Sequence, residues 1–108
     1  MHDLTFYKKL NHIIMLRNKF KSNDFSSTTS TKFLEVFNYC LMSLKNEYKT
    51  ILINSYFESD YQFWWVDYYC KSSYYRKRYW AVVGFVRLFE MIYENFNDYS
   101  NYFNFSCK

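Results

Sequence analysis

Proline is absent from the 108 residues and glycine occurs once, at Gly84. A chain so short of turn-formers cannot punctuate a sandwich or barrel of many short strands. With half of its residues apolar, it also falls outside the collagen-like, linker-like and strongly disordered classes. Cysteine is scarce and odd in number. Cys40, Cys70 and Cys107 are widely spaced, which excludes a disulfide framework and a CxxC zinc knuckle. They read as reduced thiols that pack like small apolar side chains. No apolar run approaches the roughly 18 residues of a membrane helix, and the longest compact one is Ala81 to Val86. The opening MHDLTFYKKL carries charges where a signal peptide has its apolar core, so a soluble, cytoplasmic protein without membrane contact is expected.

Catalytic signatures are missing as well: no GxGxxG, P-loop, HExxH or GxSxG occurs. Asp60 and Asp67 read as a helix cap and an edge charge rather than an acid/base pair. His2 and His12 have no acidic or cysteine partner in register. The expectation is a non-enzyme with no catalytic residue, no metal and no cofactor.

What is abundant is aromatic: 13 Tyr, 12 Phe and 3 Trp make up 26% of the chain. Their codons, like those of Asn and Lys, are A/T-rich, so the count alone says little about function. It does predict self-association as a homodimer, or an obligate partner, because a chain of this length has too little interior to cover so many rings.

The apolar spacing is helical throughout. Leu4, Tyr7, Leu10, Ile13 and Ile14 mark a first helix over residues 3–19. The polar stretch SNDFSSTTST is a loop, and Ser30 or Thr31 caps a second helix on Phe33, Val36, Phe37, Cys40, Leu41 and Leu44. A third helix begins with Asn46 as cap and carries Tyr48, Ile51, Leu52, Ser55 and Tyr56. Residues 61–69, YQFWWVDYY, are expected as a short fourth helix. Ser72 or Ser73 then caps a long fifth helix reaching Phe96, with Tyr75, Tyr79, Val82, Val86, Phe89, Tyr93 and Phe96 as its stripe. Gly84 is expected to permit close packing there. The fold class is all-α with about five helices in one domain: an N-terminal pair over 1–45, a helix-turn-helix unit over 46–96 and a tail over 97–108.

Charge gives the last helix its interest. Lys71, Arg76, Lys77, Arg78 and Arg87 lie together with no acidic residue among them. The other 9 cations and the 10 acids nearly cancel, so this one segment carries the net charge of +4. A recognition helix enters the major groove with polar and basic residues on its outward first turns and an apolar face behind. Ser73, Arg76, Lys77 and Trp80 share one side at helical spacing, while Tyr74, Tyr75, the Arg78 stem and Ala81 border the core. Ser72 and Ser73 offer hydroxyls and helix-terminal N–H groups to a backbone phosphate.

The run Tyr69-Cys70-Lys71-Ser72-Ser73-Tyr74-Tyr75-Arg76-Lys77, followed by Ala81 and Phe85, resembles the YSxSSYYRxxxxAxxxF signature of small phage transcriptional regulators of the ArpU/RinA type. Those are similar to the DNA-binding region 4 of sigma-70 factors, and Glu47 to Leu52 holds the place of the preceding helix. The whole chain also resembles a group of small mollicute proteins, a likeness that implies no activity. The sigma-like resemblance implies a transcriptional regulator that binds double-stranded DNA, with RNA polymerase as a second partner. Arg76 and Lys77 would then read bases, and Lys71, Arg78 and Arg87 would contact phosphates. Two rival readings remain open at this point. One is a helical protein–protein interaction module, associated with polymerase, that uses Trp80 without reading DNA. The other is RNA binding, with Trp80, Tyr75 and Tyr79 as stacking surfaces.

Overall fold

The computed structural model describes residues 4–22, 28–58 and 61–93. Four α-helices account for most of them: α1 (Thr5–Ser22), α2 (Thr28–Met42), α3 (Asn46–Leu52) and α4 (Lys71–Ile92). No strand occurs among the described residues, and no helix there is long and apolar enough to cross a membrane. The protein is all-α.

The long last helix organises the rest, since α1, α2 and α3 all pack on α4. Its inner face buries Tyr74, Ala81, Val82, Phe85, Val86 and Phe89. Against it α1 contributes Leu10, Ile13 and Leu16, α2 contributes Phe33, Phe37 and Cys40, and α3 contributes Ile51 and Leu52. Each fully buried side chain of this size stabilises the fold by about 1.5–3 kcal/mol. Aromatic rings interlock at the centre. Phe37 meets Phe85 edge-on at 5.2 Å and Phe57 at 5.0 Å, while Phe33 meets Phe89 at 5.3 Å and Phe20 at 5.2 Å. Edge-to-face contact places the positive rim of one ring on the negative face of the next. Arg17 closes the cluster, its guanidinium lying 5.0 Å from the Phe37 centroid.

Two elements depart from the sequence expectation. First, α3 widens into a π-helical turn over Ile53–Phe57, closed by the Glu58 amide donating to the Ile53 carbonyl at 2.7 Å. The extra residue per turn lets Phe57 reach the Phe37–Phe85 cluster while Ser55 faces α4. Second, the expected helix over 61–69 is a run of turns, leaving four α-helices and the π turn among the described residues instead of five α-helices. Its backbone bonds reach mainly three residues back: Trp64 to Tyr61, Val66 to Phe63 and Tyr68 to Trp65. Aromatic residues have only middling helix propensity, and here two adjacent indoles take different partners. Trp65 stacks on Tyr74, with centroids 4.5 Å apart and planes within 5°, whereas the Trp64 indole N–H donates to Ser55 Oγ at 3.3 Å.

Boundaries shift modestly elsewhere. Helix α2 starts at Thr28 and ends at Met42, and Lys45 rather than Asn46 holds the N-cap position of α3. Helix α4 begins at Lys71 with Cys70 as N-cap, so Ser72 and Ser73 sit inside its first turn instead of capping it. Of the stripe expected on it, Val82, Val86, Phe89 and Tyr93 are buried, but at the N-terminal end Tyr74, 3% exposed, takes the interior while Tyr75 is 38% exposed. A Cβ on Gly84 would meet only Leu44 Cδ2, at 3.7 Å, so glycine is not needed for close packing. Asp60, Phe96 and the expected tail over 97–108 lie outside the described residues, as do His2 and Cys107.

Candidate nucleic-acid interface

Helix α4 has an outward ridge opposite its buried face. Ser72, Arg76, Trp80, Arg87 and Met91 are exposed on that side, with Lys71 exposed at the N-terminus, and buried Val83 interrupts the run between Trp80 and Arg87. The first turn contains no acidic residue, so the positive end of the helix dipole is unopposed there. Cys70, at the cap, is exposed and makes no cap hydrogen bond of standard length. The Ser73 backbone amide and the Ser72 hydroxyl, 3.7 Å from Sγ, hold its thiol below the ordinary value.

Arg76 is exposed and in no ion pair among the described residues. Arg87 is exposed with its guanidinium 5.3 Å from the Phe6 centroid, so it lies over α1 with its outer edge facing water. Trp80 is 51% exposed and touches Tyr79 edge-on at 5.3 Å.

The other two expected cations are placed differently. Lys77 Nζ lies 2.9 Å from Glu47 Oε2 on α3 and 5.5 Å from the Tyr69 centroid. The Tyr69 hydroxyl donates to the same carboxylate oxygen at 3.0 Å. The hydrogen bonds from Lys77 and Tyr69 hold the Glu47 carboxyl below its usual range. The Lys77 ammonium is thus engaged within the chain. Arg78 points away from the ridge, its guanidinium 4.7 Å from the Tyr75 centroid, 5.6 Å from Tyr7 and 5.7 Å from Tyr74. Burial alone would lower its pKa, but the phenol oxygens of Tyr56, Tyr7 and Tyr74 outweigh burial and keep the guanidinium above its ordinary value. The aromatic faces explain why a cation settles inward.

Beside the Glu47–Lys77 pair is an open cavity of about 690 Å³ whose walls include Glu47, Glu58, Asp67, Trp64 and Tyr68. Its three carboxylates make that flank of the molecule unfavourable for a polyanion, in contrast to the ridge of α4. Among the described residues, no three His, Cys, Asp or Glu side chains gather closely enough to hold a metal ion.

Sequence reasoning missed the Glu47–Lys77–Tyr69 cluster, since its members lie up to thirty positions apart in the chain. No local pattern announces such a pairing. No family model, curated protein or solved structure matches the chain.

Proposed function

We propose that this protein binds duplex DNA through the outward ridge of α4 and regulates transcription in the manner of a sigma region 4-like helix-turn-helix. In this reading α3 with its π turn is the supporting helix, residues 61–69 are an elongated turn and α4 is the recognition helix. Arg76, near the N-terminal end of α4, reads base edges. Lys71 and Arg87 hold phosphates, with the amides and hydroxyls of Ser72 and Ser73 as neutral donors. One observation carries the reading: Lys71, Arg76 and Arg87 are all exposed on a helix segment free of acidic residues. Lys77 and Arg78 drop out of the contact set, so the electrostatic footprint is about three cations.

The two phosphate-directed cations, Lys71 and Arg87, predict a slope of log K against log[salt] of about −1.8, or an affinity loss of about 12-fold between roughly 50 and 200 mM salt. The test is a fluorescence-anisotropy titration of random duplex at those two salt concentrations. Lys71→Ala and Arg87→Ala should weaken all sequences alike and each reduce the slope by about one unit. Arg76→Ala should cost about 1–3 kcal/mol, chiefly on the preferred site. Binding without salt dependence, or none at low salt, rejects the reading.

A protein-docking role, with RNA polymerase as one partner, has its own support in Trp80, an indole half exposed at the middle of the same ridge. Trp80→Ala separates the two: it should leave duplex binding nearly intact but damage a protein interface.

A further inference from the structure

A second cavity, of about 380 Å³, opens on the inner side of α4 between the π turn and residues 61–69. Arg78 lines it, and the Arg78 Nε is buried without a hydrogen-bond partner. None of the described lining residues is acidic, and no Asp or Glu among the described residues forms an ion pair with this guanidinium. The Tyr7 hydroxyl accepts one hydrogen bond from the guanidinium and aromatic faces steady it, but the Nε–H remains unspent.

Counting hydroxyl protons points the same way. Ser55 Oγ and Tyr74 Oη are 2.6 Å apart and share one hydrogen bond, and Ser55 Oγ also accepts from the Trp64 indole. Two hydroxyls bring two protons, and one shared bond uses one of them. Whichever hydroxyl donates to the other, one O–H remains to be given away at the cavity wall. Asn54 and Gln62 add amide donors to the same cavity. A guanidinium, a spare hydroxyl proton and two amides, with no carboxylate among the described lining residues, are matched by a ligand rich in acceptor oxygens and negative charge. The space exceeds what a lone oxyanion fills, and the exposed rings of Phe63 and Tyr75 stand at its mouth.

We propose that this cavity binds a phosphate monoester that bears a flat ring, either directly or through a sugar, the phosphoryl oxygens meeting Arg78 and the Ser55–Tyr74 hydroxyl pair and the ring lying against Phe63 and Tyr75. The site is independent of DNA binding by the outward ridge, because Arg78 and Arg76 lie on opposite sides of α4.

Two indole N–H resonances serve as reporters, that of Trp65 in the cavity wall, stacked on Tyr74, and that of Trp64, which bonds Ser55 from behind the wall. Titration of the full chain with AMP or phenyl phosphate should shift both signals to saturation. Inorganic phosphate should compete for the same site more weakly, and adenosine should produce no saturable shift. Arg78→Gln should weaken AMP at least about tenfold, the value expected when a charge-assisted donor is lost. Should that variant unfold by circular dichroism, Asn54→Asp supplies the second arm: a carboxylate in the cavity should abolish AMP binding while the helical spectrum persists. Adenosine or acetate binding as well as AMP overturns the proposal. So does AMP binding that survives both substitutions, or that is lost in Arg76→Gln while Arg78→Gln retains it.

Discussion

Lys77 and Glu47 form an ion pair 2.9 Å long that ties the first turns of α4 to α3. Both side chains are partly exposed, so the pair itself adds no more than about 1 kcal/mol to stability. Its effect on the interface is larger, because it removes a cation from the side of α4 that would meet a polyanion.

The ion pair gives the first prediction. Glu47→Gln should release Lys77, raise duplex affinity several-fold at low salt and steepen the salt slope. Lys77→Ala should leave the slope nearly unchanged. Anisotropy at the two salt concentrations checks both. Equal slopes for Glu47→Gln and the wild type would mean that Lys77 lies off the DNA path.

Gly84→Ala should stabilise the protein by about 0.5–1 kcal/mol, since alanine costs less backbone entropy in a helix interior. Space allows it, with Leu44 Cδ2 at ordinary contact distance from the new methyl. Thermal melts should show a midpoint higher by a few degrees. A lower midpoint would show that α4 packs more tightly there than described.

Phe37→Ala should cost about 3–5 kcal/mol, because it removes a fully buried ring whose neighbours Phe57, Phe85 and Arg17 cannot all close over the gap. Denaturant unfolding with an unchanged m-value measures it.

Alkaline pH should unfold the protein in two limbs. Burial pushes the Cys40 thiol from 9.0 to about 11. Burial also pushes the Tyr56 phenol from 10.0 to about 12, although Arg78 pulls the other way. A raised folded-state value means that the folded protein keeps a proton that the unfolded chain gives up. Stability is therefore intact below pH 9.0, falls between 9.0 and about 11 through Cys40, and falls further between 10.0 and about 12 through Tyr56. Cys40→Ala should erase the first limb in a series of melts against pH.

Thiol labelling should discriminate sharply between two cysteines. Cys70 is exposed and held below its ordinary value by the Ser73 amide and Ser72 hydroxyl, whereas Cys40 is buried and raised. Iodoacetamide at about pH 8 should alkylate Cys70 in the folded protein and spare Cys40, as peptide mass mapping would show.

Helical periodicity made most of the interior legible. Leu10, Ile13, Phe33, Phe37, Cys40, Ile51, Leu52, Val82 and Phe89 were all expected on packed faces, and all are buried. Along α4 the expected stripe is buried at Val82, Val86, Phe89 and Tyr93 and fails at its first member, because Tyr74, stacked on Trp65, takes the interior in place of Tyr75. Residues 61–69 were misread for a related reason. Their apolar density suits a helix equally well, and the partners that pull Trp64 and Trp65 apart lie on other elements. At the interface, the sequence located the basic segment but not its division. Which cations face outward depends on Glu47 and on the ring of Tyr7, both remote in the chain.

The turns over 61–69 have few backbone hydrogen bonds and are fastened mainly by two indoles. Such a segment can detach at a free energy well below that of global unfolding, with α1, α2 and most of α4 left folded. Its amides should therefore exchange with deuterium as one early cooperative unit, ahead of the helix they lean on. Asn54 lines the cavities on both sides of it, so the two walls would be lost together. A molecule seated in either cavity would slow that exchange by a factor of one plus the ratio of its free concentration to Kd, which makes this segment a built-in gauge of ligand binding.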